Sequence, residues 1–432
     1  MNQIKLKKLI GFLIITILIC LTLAYFNLGG DKPLIKDKSS ELNKDLSKQL
    51  PLPNGFGVSF HFNGTSPDTV LMKNAGINIA RTDLFWSEIE KKRGFYDYSG
   101  YDQLTEDLIE SGIKPYYILN YSNKLYEKNF SIVTEKGQNA FVDYVDDVTS
   151  RYSGYGIVWE IWNEPNLIEY WDTRPNYEDY SKLVKNVSKV IRKNDPTGIV
   201  VAPALAGLNN DSLIWLEEIL KRGLLENIDA LSVHPYRTSS PETVIEDYQK
   251  LRDLLNKYNK KNFPIISGEW GYSTAREWNN LNISEKQQAQ YLIRMFLVNE
   301  WSNIPITIWY DWKNDGIDSK EREHNFGIRQ NDVSKSKESY IALKVMTKTL
   351  SNYSLSKRID VGNPSDFVFE FKNKLGDILI VYWTIEGDHL IKLPEPENGS
   401  IISMYGDNLG RYNLENDTIL EITASPRYLI YK

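Results

Sequence analysis

The chain has one cysteine in 432 residues, Cys20, and it falls inside an apolar run near the N-terminus. Everything beyond that run therefore has no disulfide, no thiol nucleophile and no cysteine metal site. Histidine is nearly as scarce, at four, and none belongs to an HExxH. The stretch DWKNDGIDSKERE (Asp311 to Glu323) is dense in charge but does not keep the spacing of a calcium loop, so it reads as a solvated rim loop, placed to grip a charged polymer. On these grounds no metal and no cofactor is expected. A basic stripe is missing too: the net charge is −6 and nothing gathers Lys and Arg together, which argues against a nucleic-acid partner. No strand candidate leads into a glycine-rich phosphate turn, the mark of a doubly wound open sheet that binds nucleotides.

Long apolar stretches are confined to one place. Leu9 to Phe26 is uncharged and follows MNQIKLKK, which suits a membrane span with Lys5, Lys7 and Lys8 on the cytoplasmic side. This gives an anchor over residues 1–28, a polar tether over 29–50, and a remainder that faces outward from the cell membrane. Cleavage after Ala24 and secretion is the alternative, while acylation of Cys20 is disfavoured by Ile19 before it.

What the chain has in quantity is alternation. Apolar runs at 56–62, 77–85, 114–121, 155–164, 199–206, 228–236, 263–271 and 306–312 are each followed by a helical pattern. In the segment 177–196, apolar residues recur at Tyr180, Leu183, Val184, Val187 and Val190, one helix face, and Pro196 stops it. Eight such units predict an α/β fold, a (β/α)8 barrel over residues 51–351. From 352 to 432 the texture changes to short strands between turn residues: 367–373, 377–385, 389–393, 400–406, 418–423 and 427–432. These predict a small all-β sandwich module that caps or steadies the barrel.

The fourth strand candidate ends in WEIWNEPN (Trp159 to Asn166), and Pro165, lacking an N–H, is expected to end the ladder there. Glu164 then sits at a strand's C-terminal end, where barrel enzymes keep their chemistry. Glu269, in ISGEWG, holds the matching place on the seventh strand. Two carboxylates facing each other on that rim can divide the breaking of a glycosidic bond, one as acid and base and the other as nucleophile. Arg81 can ion-pair with a carboxylate, Tyr236 of VHPY can donate its hydroxyl to one, and His234 stands beside it. Asn163 and His61 can reach sugar hydroxyls. The chain has 11 Trp and 27 Tyr, and Trp86, Tyr121, Trp162, Tyr170, Trp171, Trp270 and Trp312 fall at or just after strand ends. That position suits stacking on sugar rings, with an aromatic-rich core as the plain alternative.

WNEP, the glutamate of GEWG, the early arginine, the HPY and the tryptophan of IWYDW together resemble clan A of the glycoside hydrolases. Residues 81–104 and 324–344 are similar to segments of family 39, especially its bacterial exopolysaccharide-hydrolase branch, with the family 5 cellulases as relatives. The resemblance implies a retaining enzyme in which Glu164 is the acid/base, Glu269 the nucleophile, Asn163 a 2-hydroxyl contact, Tyr236 the nucleophile's partner and Trp309 a wall of the subsite for the scissile sugar. The expected substrate is a β-linked extracellular polysaccharide or oligosaccharide, cut internally by a monomer. An exo-acting β-xylosidase or β-glucosidase, a transglycosylase and a non-hydrolytic carbohydrate-binding protein are the alternatives.

Overall fold

The computed structural model describes residues 55–431, apart from 173, 259–261, 277–281, 395–396 and 414–418. The apolar run of residues 9–26 and the tether lie outside the described residues. Among the described residues no helix is long and apolar enough to cross a membrane.

All eight strand candidates form strands, and they close on one another. β1 (Gly55–Ser59), β2 (Ile79–Phe85), β3 (Lys114–Asn120), β4 (Val158–Ile161), β5 (Ile199–Ala206), β6 (Ala230–His234), β7 (Ile265–Trp270) and β8 (Ile306–Trp309) pair in parallel in chain order, and β1 pairs back to β8. Each is followed by a helix of the outer ring: α1 (Thr69–Asn74), α2 (Ser99–Glu110), α3 (Glu135–Arg151), α4 (Tyr177–Asn194), α5 (Asn210–Lys221), α6 (Val244–Asn256), α7 (Glu285–Trp301) and α8 (Glu338–Thr349). Side chains of Asp68, Thr134, Asn176, Asn209 and Ser284 accept backbone N–H groups in the first turn of α1, α3, α4, α5 and α7, which fixes where those helices begin. The buried face of α4 is the one expected, except that Ile191 rather than Val190 makes its last buried contact.

Alternation along the strands decides what reaches the barrel axis. Ile79, Tyr116, Val158, Val201, Ala230, Ile266, Ile306 and Ile308 pack there as one cluster. β1 contributes almost no bulk to it. A Cβ on Gly57 would lie 2.3 Å from Ile308 Cδ1, so glycine makes room for the isoleucines of its neighbours.

The C-terminal region is all β: β9 (Tyr353–Arg358), β10 (Asp366–Asn373), β11 (Ile378–Thr384), β12 (His389–Lys392), β13 (Gly399–Ser403), β14 (Asn408–Tyr412), β15 (Ile419–Ile422) and β16 (Arg427–Tyr431). Six form a sheet in the order β14-β13-β16-β11-β10-β9, and β12 pairs with β15. Val368, Ile380, Tyr382, Ile391, Leu420, Ile422 and Leu429 make its core, with side chains from the sheet and the two-stranded ribbon. The sheet seats on the barrel through specific contacts. Trp383 Nε1 donates to Glu242 Oε1 at 2.7 Å, and the same carboxylate takes Arg294 Nε and Nη2 at 2.6 and 2.7 Å. Trp301, at the end of α7, stacks on Phe369 with ring centroids 5.6 Å apart.

Candidate active site

Two inward positions above the isoleucine floor carry charge. Arg81 follows Ile79 in phase on β2, and Glu160 follows Val158 in phase on β4. Both are sealed from water, at 2% and 0% exposure. Arg81 donates Nε to Glu160 Oε2 at 2.8 Å, Nη1 to Glu269 Oε2 at 2.5 Å and Nη2 to Asn163 Oδ1 at 3.0 Å. Burial by itself would weaken the guanidinium's hold on its proton; the carboxylates of Glu160 and Glu269 outweigh it and raise the pKa. Glu160 is further satisfied by the Tyr116 hydroxyl at 2.8 Å and the Ser232 hydroxyl at 2.5 Å. Gly268 leaves the space for this network, since a Cβ there would lie 2.3 Å from Ser232 Oγ.

The two suspected glutamates are aimed by departures from regular strand. β4 leaves the ladder at Ile161, four residues before Pro165, so the proline is not what ends it. Trp162 and Glu164 instead take left-handed backbone, with φ of 72° and 48°. Such angles in non-glycine residues cost on the order of 1–3 kcal/mol each and persist only where the surroundings impose them. On β7 the register shifts between Ser267 and Trp270, a bulge that turns Glu269 toward the axis just after Gly268, which already faces it.

One carboxylate oxygen of Glu164, one of Glu269 and a ring nitrogen of His234 all lie within 4.8 Å of one another. His234 is fully buried and its Nδ1 is 2.8 Å from Glu164 Oε1, while Nε2 is 3.3 Å from Arg81 Nη2. A carboxylate oxygen accepts, so the ring gives its Nδ1 proton to Glu164. Glu269 Oε1 accepts from the Tyr236 hydroxyl at 2.8 Å. Burial pushes the Glu269 carboxyl up, but the charge of the His234 ring, Arg81 and the Tyr236 hydroxyl together overcome this and hold it below the ordinary value. Glu269 is therefore held toward its ionised form.

Above these groups lies a cavity of about 770 Å³, open to solvent. Of the residues singled out from sequence, Glu164, Glu269, Asn163, Arg81, His61, Tyr236, Tyr121 and Tyr170 line it, and His234 stands behind Glu164. The tryptophans do not. Trp86, Trp162, Trp171, Trp270, Trp309 and Trp312 are each at most 1% exposed and belong to the layer between strands and helices. Trp86 stacks near Tyr126 and Tyr144, Trp171 meets Trp162 edge-on, and Arg237 covers Trp270. Trp309 gives its Nε1 proton to the Phe326 carbonyl at 3.2 Å, and Trp312 packs edge-on to Tyr340.

The expected wall at Trp309 is a correction of one residue. Ile306 and Ile308 face the axis, so the next inward position is 310, and Tyr310 lines the cavity. Glu160 was missed as well, although a charge in phase with Val158 inside an apolar strand is a readable signal. The segment 311–323 is more than a solvated rim loop: Asp311 is buried, and Asp315, Arg322 and Glu323 line the cavity.

A parallel eight-stranded barrel with two carboxylates meeting over its C-terminal rim, one held toward its ionised form, is a glycosidase site. The sequence pattern of the cellulase family, glycosyl hydrolase family 5, matches residues 47–316, and the chain belongs to that family, within clan A of the glycoside hydrolases. A curated relative is the β-xylosidase of Geobacillus stearothermophilus, 24% identical over an alignment of 214 residues that covers 41% of this chain and 42% of that enzyme. The aligned stretch thus spans less than half of the relative. Among solved structures, a family 39 glycoside hydrolase from Bacteroides cellulosilyticus WH2 superposes with a TM-score of 0.73 at 24% identity, covering 89% of this chain and 82% of that one. A family 39 β-xylosidase from Caulobacter crescentus gives a TM-score of 0.63 at 16% identity, covering 88% of this chain and 96% of that one. These likenesses extend through the C-terminal β region and share the fold.

Proposed function

We propose that this glycosidase is a retaining enzyme that cuts a β-linked extracellular polysaccharide within the chain, with Glu269 as nucleophile and Glu164 as acid and base. The observation that carries the reading is the approach of the two carboxylates to within 4.8 Å. Retention goes with carboxyl groups about 5–5.5 Å apart, whereas inversion needs about 6.5–9.5 Å to seat a water between them. Glu269, held toward its ionised form by the His234 ring, Arg81 and Tyr236, attacks the anomeric carbon while Glu164 protonates the departing oxygen. Water deprotonated by Glu164 then attacks the same carbon, and Glu269 leaves. Asn163, fixed by Arg81, faces the sugar's 2-hydroxyl, and Tyr310 forms the wall.

Internal cutting is supported by the cleft's continuation. A second cavity of about 710 Å³ shares Phe85 and Tyr121 with the first and runs on past Tyr101, Lys91 and Phe130. Such a groove holds sugars beyond the cleaved one. An exo-acting β-xylosidase is the second reading, favoured by the names of the similar enzymes.

The test is activity on β-linked polysaccharides and aryl β-glycosides beside Glu164→Gln and Glu269→Gln, with the anomer of the first product read by NMR. The expected result is β product, oligosaccharides of several lengths from a polymer, and loss of cleavage in both variants. An α product first, or cleavage that survives Glu269→Gln, would sink the double-displacement reading. Xylose alone from xylo-oligosaccharides would select the exo reading.

A further inference from the structure

At one end of the cleft three donors converge that the proposed reaction does not use. His61 leaves β1, Asp311 and Asp315 leave β8, and these strands pair directly, with Val58 opposite Trp309. One ligand atom from each of the three lies within 4.8 Å of the other two, and His61 Nε2 is 3.3 Å from Asp315 Oδ2. Sequence spacing concealed this group because its members come from the two ends of the barrel's sequence, which meet only when β8 pairs with β1.

Asp311 is the telling member. It is 1% exposed, and no hydrogen-bond donor among the described residues meets its Oδ1. The buried Lys337 ammonium acts on Asp311 through its charge but directs its hydrogen bonds to Asn314 Oδ1 and the Asn325 carbonyl, both at 3.4 Å. A buried carboxylate oxygen without a donor is costly, and here two further carboxylates, Asp315 and Glu323, act on it as well. Glu323 itself takes the Tyr310 hydroxyl at 2.9 Å. The other close trio, Glu164 with His234 and Glu269, has no such deficit, since Arg81, Tyr236 and the His234 ring supply its donors.

We propose that His61, Asp311 and Asp315 bind a divalent cation at the mouth of the cleft. A set of one imidazole and two carboxylates suits Zn²⁺ or Mn²⁺ better than Ca²⁺ or Mg²⁺, which prefer oxygen throughout. In a tetrahedral site with bonds of about 2.0–2.2 Å, ligand atoms stand roughly 3.3–3.6 Å apart, the separation found between His61 and Asp315. His61 is half exposed and lines the cavity with Asp315, which gives the ion an entry path. Three protein ligands leave positions for water or for vicinal hydroxyls of a bound sugar. The ion also ties β1 to the loop after β8. As it stands His61 Nε2 donates to the Tyr310 hydroxyl at 2.9 Å, whose own proton goes to Glu323, and metal binding at that nitrogen replaces this proton.

The experiment uses the untagged full chain, stripped with EDTA and then titrated with ZnCl₂ or MnCl₂ by calorimetry, with elemental analysis after equilibrium dialysis. One ion per chain is expected. Affinity should fall about tenfold or more in His61→Ala and in Asp315→Asn, while Glu164→Gln binds as the native chain does. Failure to bind either ion, binding that persists in both rim variants, or uptake of Ca²⁺ in preference would each overturn the proposal. Because the readout is the ion itself, the result stands apart from whether the glycosidase mechanism holds.

Discussion

Replacing Tyr236 by phenylalanine removes one oxygen and leaves the ring. That oxygen donates to Glu269 Oε1 at 2.8 Å, inside a site where burial opposes ionisation. Burial and the neighbouring Glu269 charge hold the phenol's own pKa high, so it acts as a donor at any working pH. A hydrogen bond to a charged group contributes about 1.5–3 kcal/mol. At about 1.36 kcal/mol per pH unit, its loss should raise the Glu269 carboxyl by roughly one to two. In the free enzyme the nucleophile must be ionised, so the acid limb of kcat/KM against pH should move upward by that amount. The assay is an aryl β-glycoside profile from acid to neutral pH for both proteins, with a thermal melt to show that Phe keeps the fold. The plateau should fall too, as the carboxylate loses one of its two anchors. A lower plateau with an unmoved limb would mean the hydroxyl acts on substrate instead, and would refute the reasoning.

Glu160→Gln tests the layer beneath. It leaves Arg81 one buried carboxylate short, which should destabilise the fold by about 3–5 kcal/mol in a melt. It also frees Arg81 to serve Glu269 alone, so the acid limb should move downward, opposite to Tyr236→Phe; an unchanged melt and profile would remove Glu160 from the site. At the seam with the β region, burial pushes Glu300 up to about 7 from its ordinary 4.5, partly offset by the Leu355 N–H. The folded chain then binds the proton more tightly than the unfolded one, so stability should fall as pH rises from 4.5 to 7 and level off above. Glu300→Gln should remove that loss, stabilising by about 1–3 kcal/mol at pH 8 and not at all at pH 4; equal melts at both pH values would contradict it.

Strand existence was legible because each run is apolar and flanked by a helical pattern, and Glu164 and Glu269 were legible because they end such runs. Which neighbour faces the axis was not. Barrel strands are buried on both sides, so β8 shows no polar face that would tell Trp309 from Tyr310. The bulge on β7 that turns Glu269 inward has no mark in ISGEW, and neither do the left-handed angles at Trp162 and Glu164. Tryptophans near strand ends looked like sugar platforms, yet the ring of helices needs bulk at the same height, and it took them. In the C-terminal region the two unforeseen strands, β9 and β14, are the outermost of the six-stranded sheet. Each has one edge unpaired; β14 is mostly exposed, and β9 alternates only over the four residues Tyr353 to Ser356, so neither carries the apolar run of an inner strand.

Glu242 lies just beyond β6, the strand that carries His234, and it is held at once by Arg294 of the barrel and Trp383 of the β region. An exchange of modules between related chains would therefore not be neutral at this joint. A barrel that acquired a foreign β region would keep a buried acid and arginine but lose the indole that completes them. A β region moved elsewhere would carry a buried N–H in search of an acceptor. The two parts are thus matched to each other chemically at this joint.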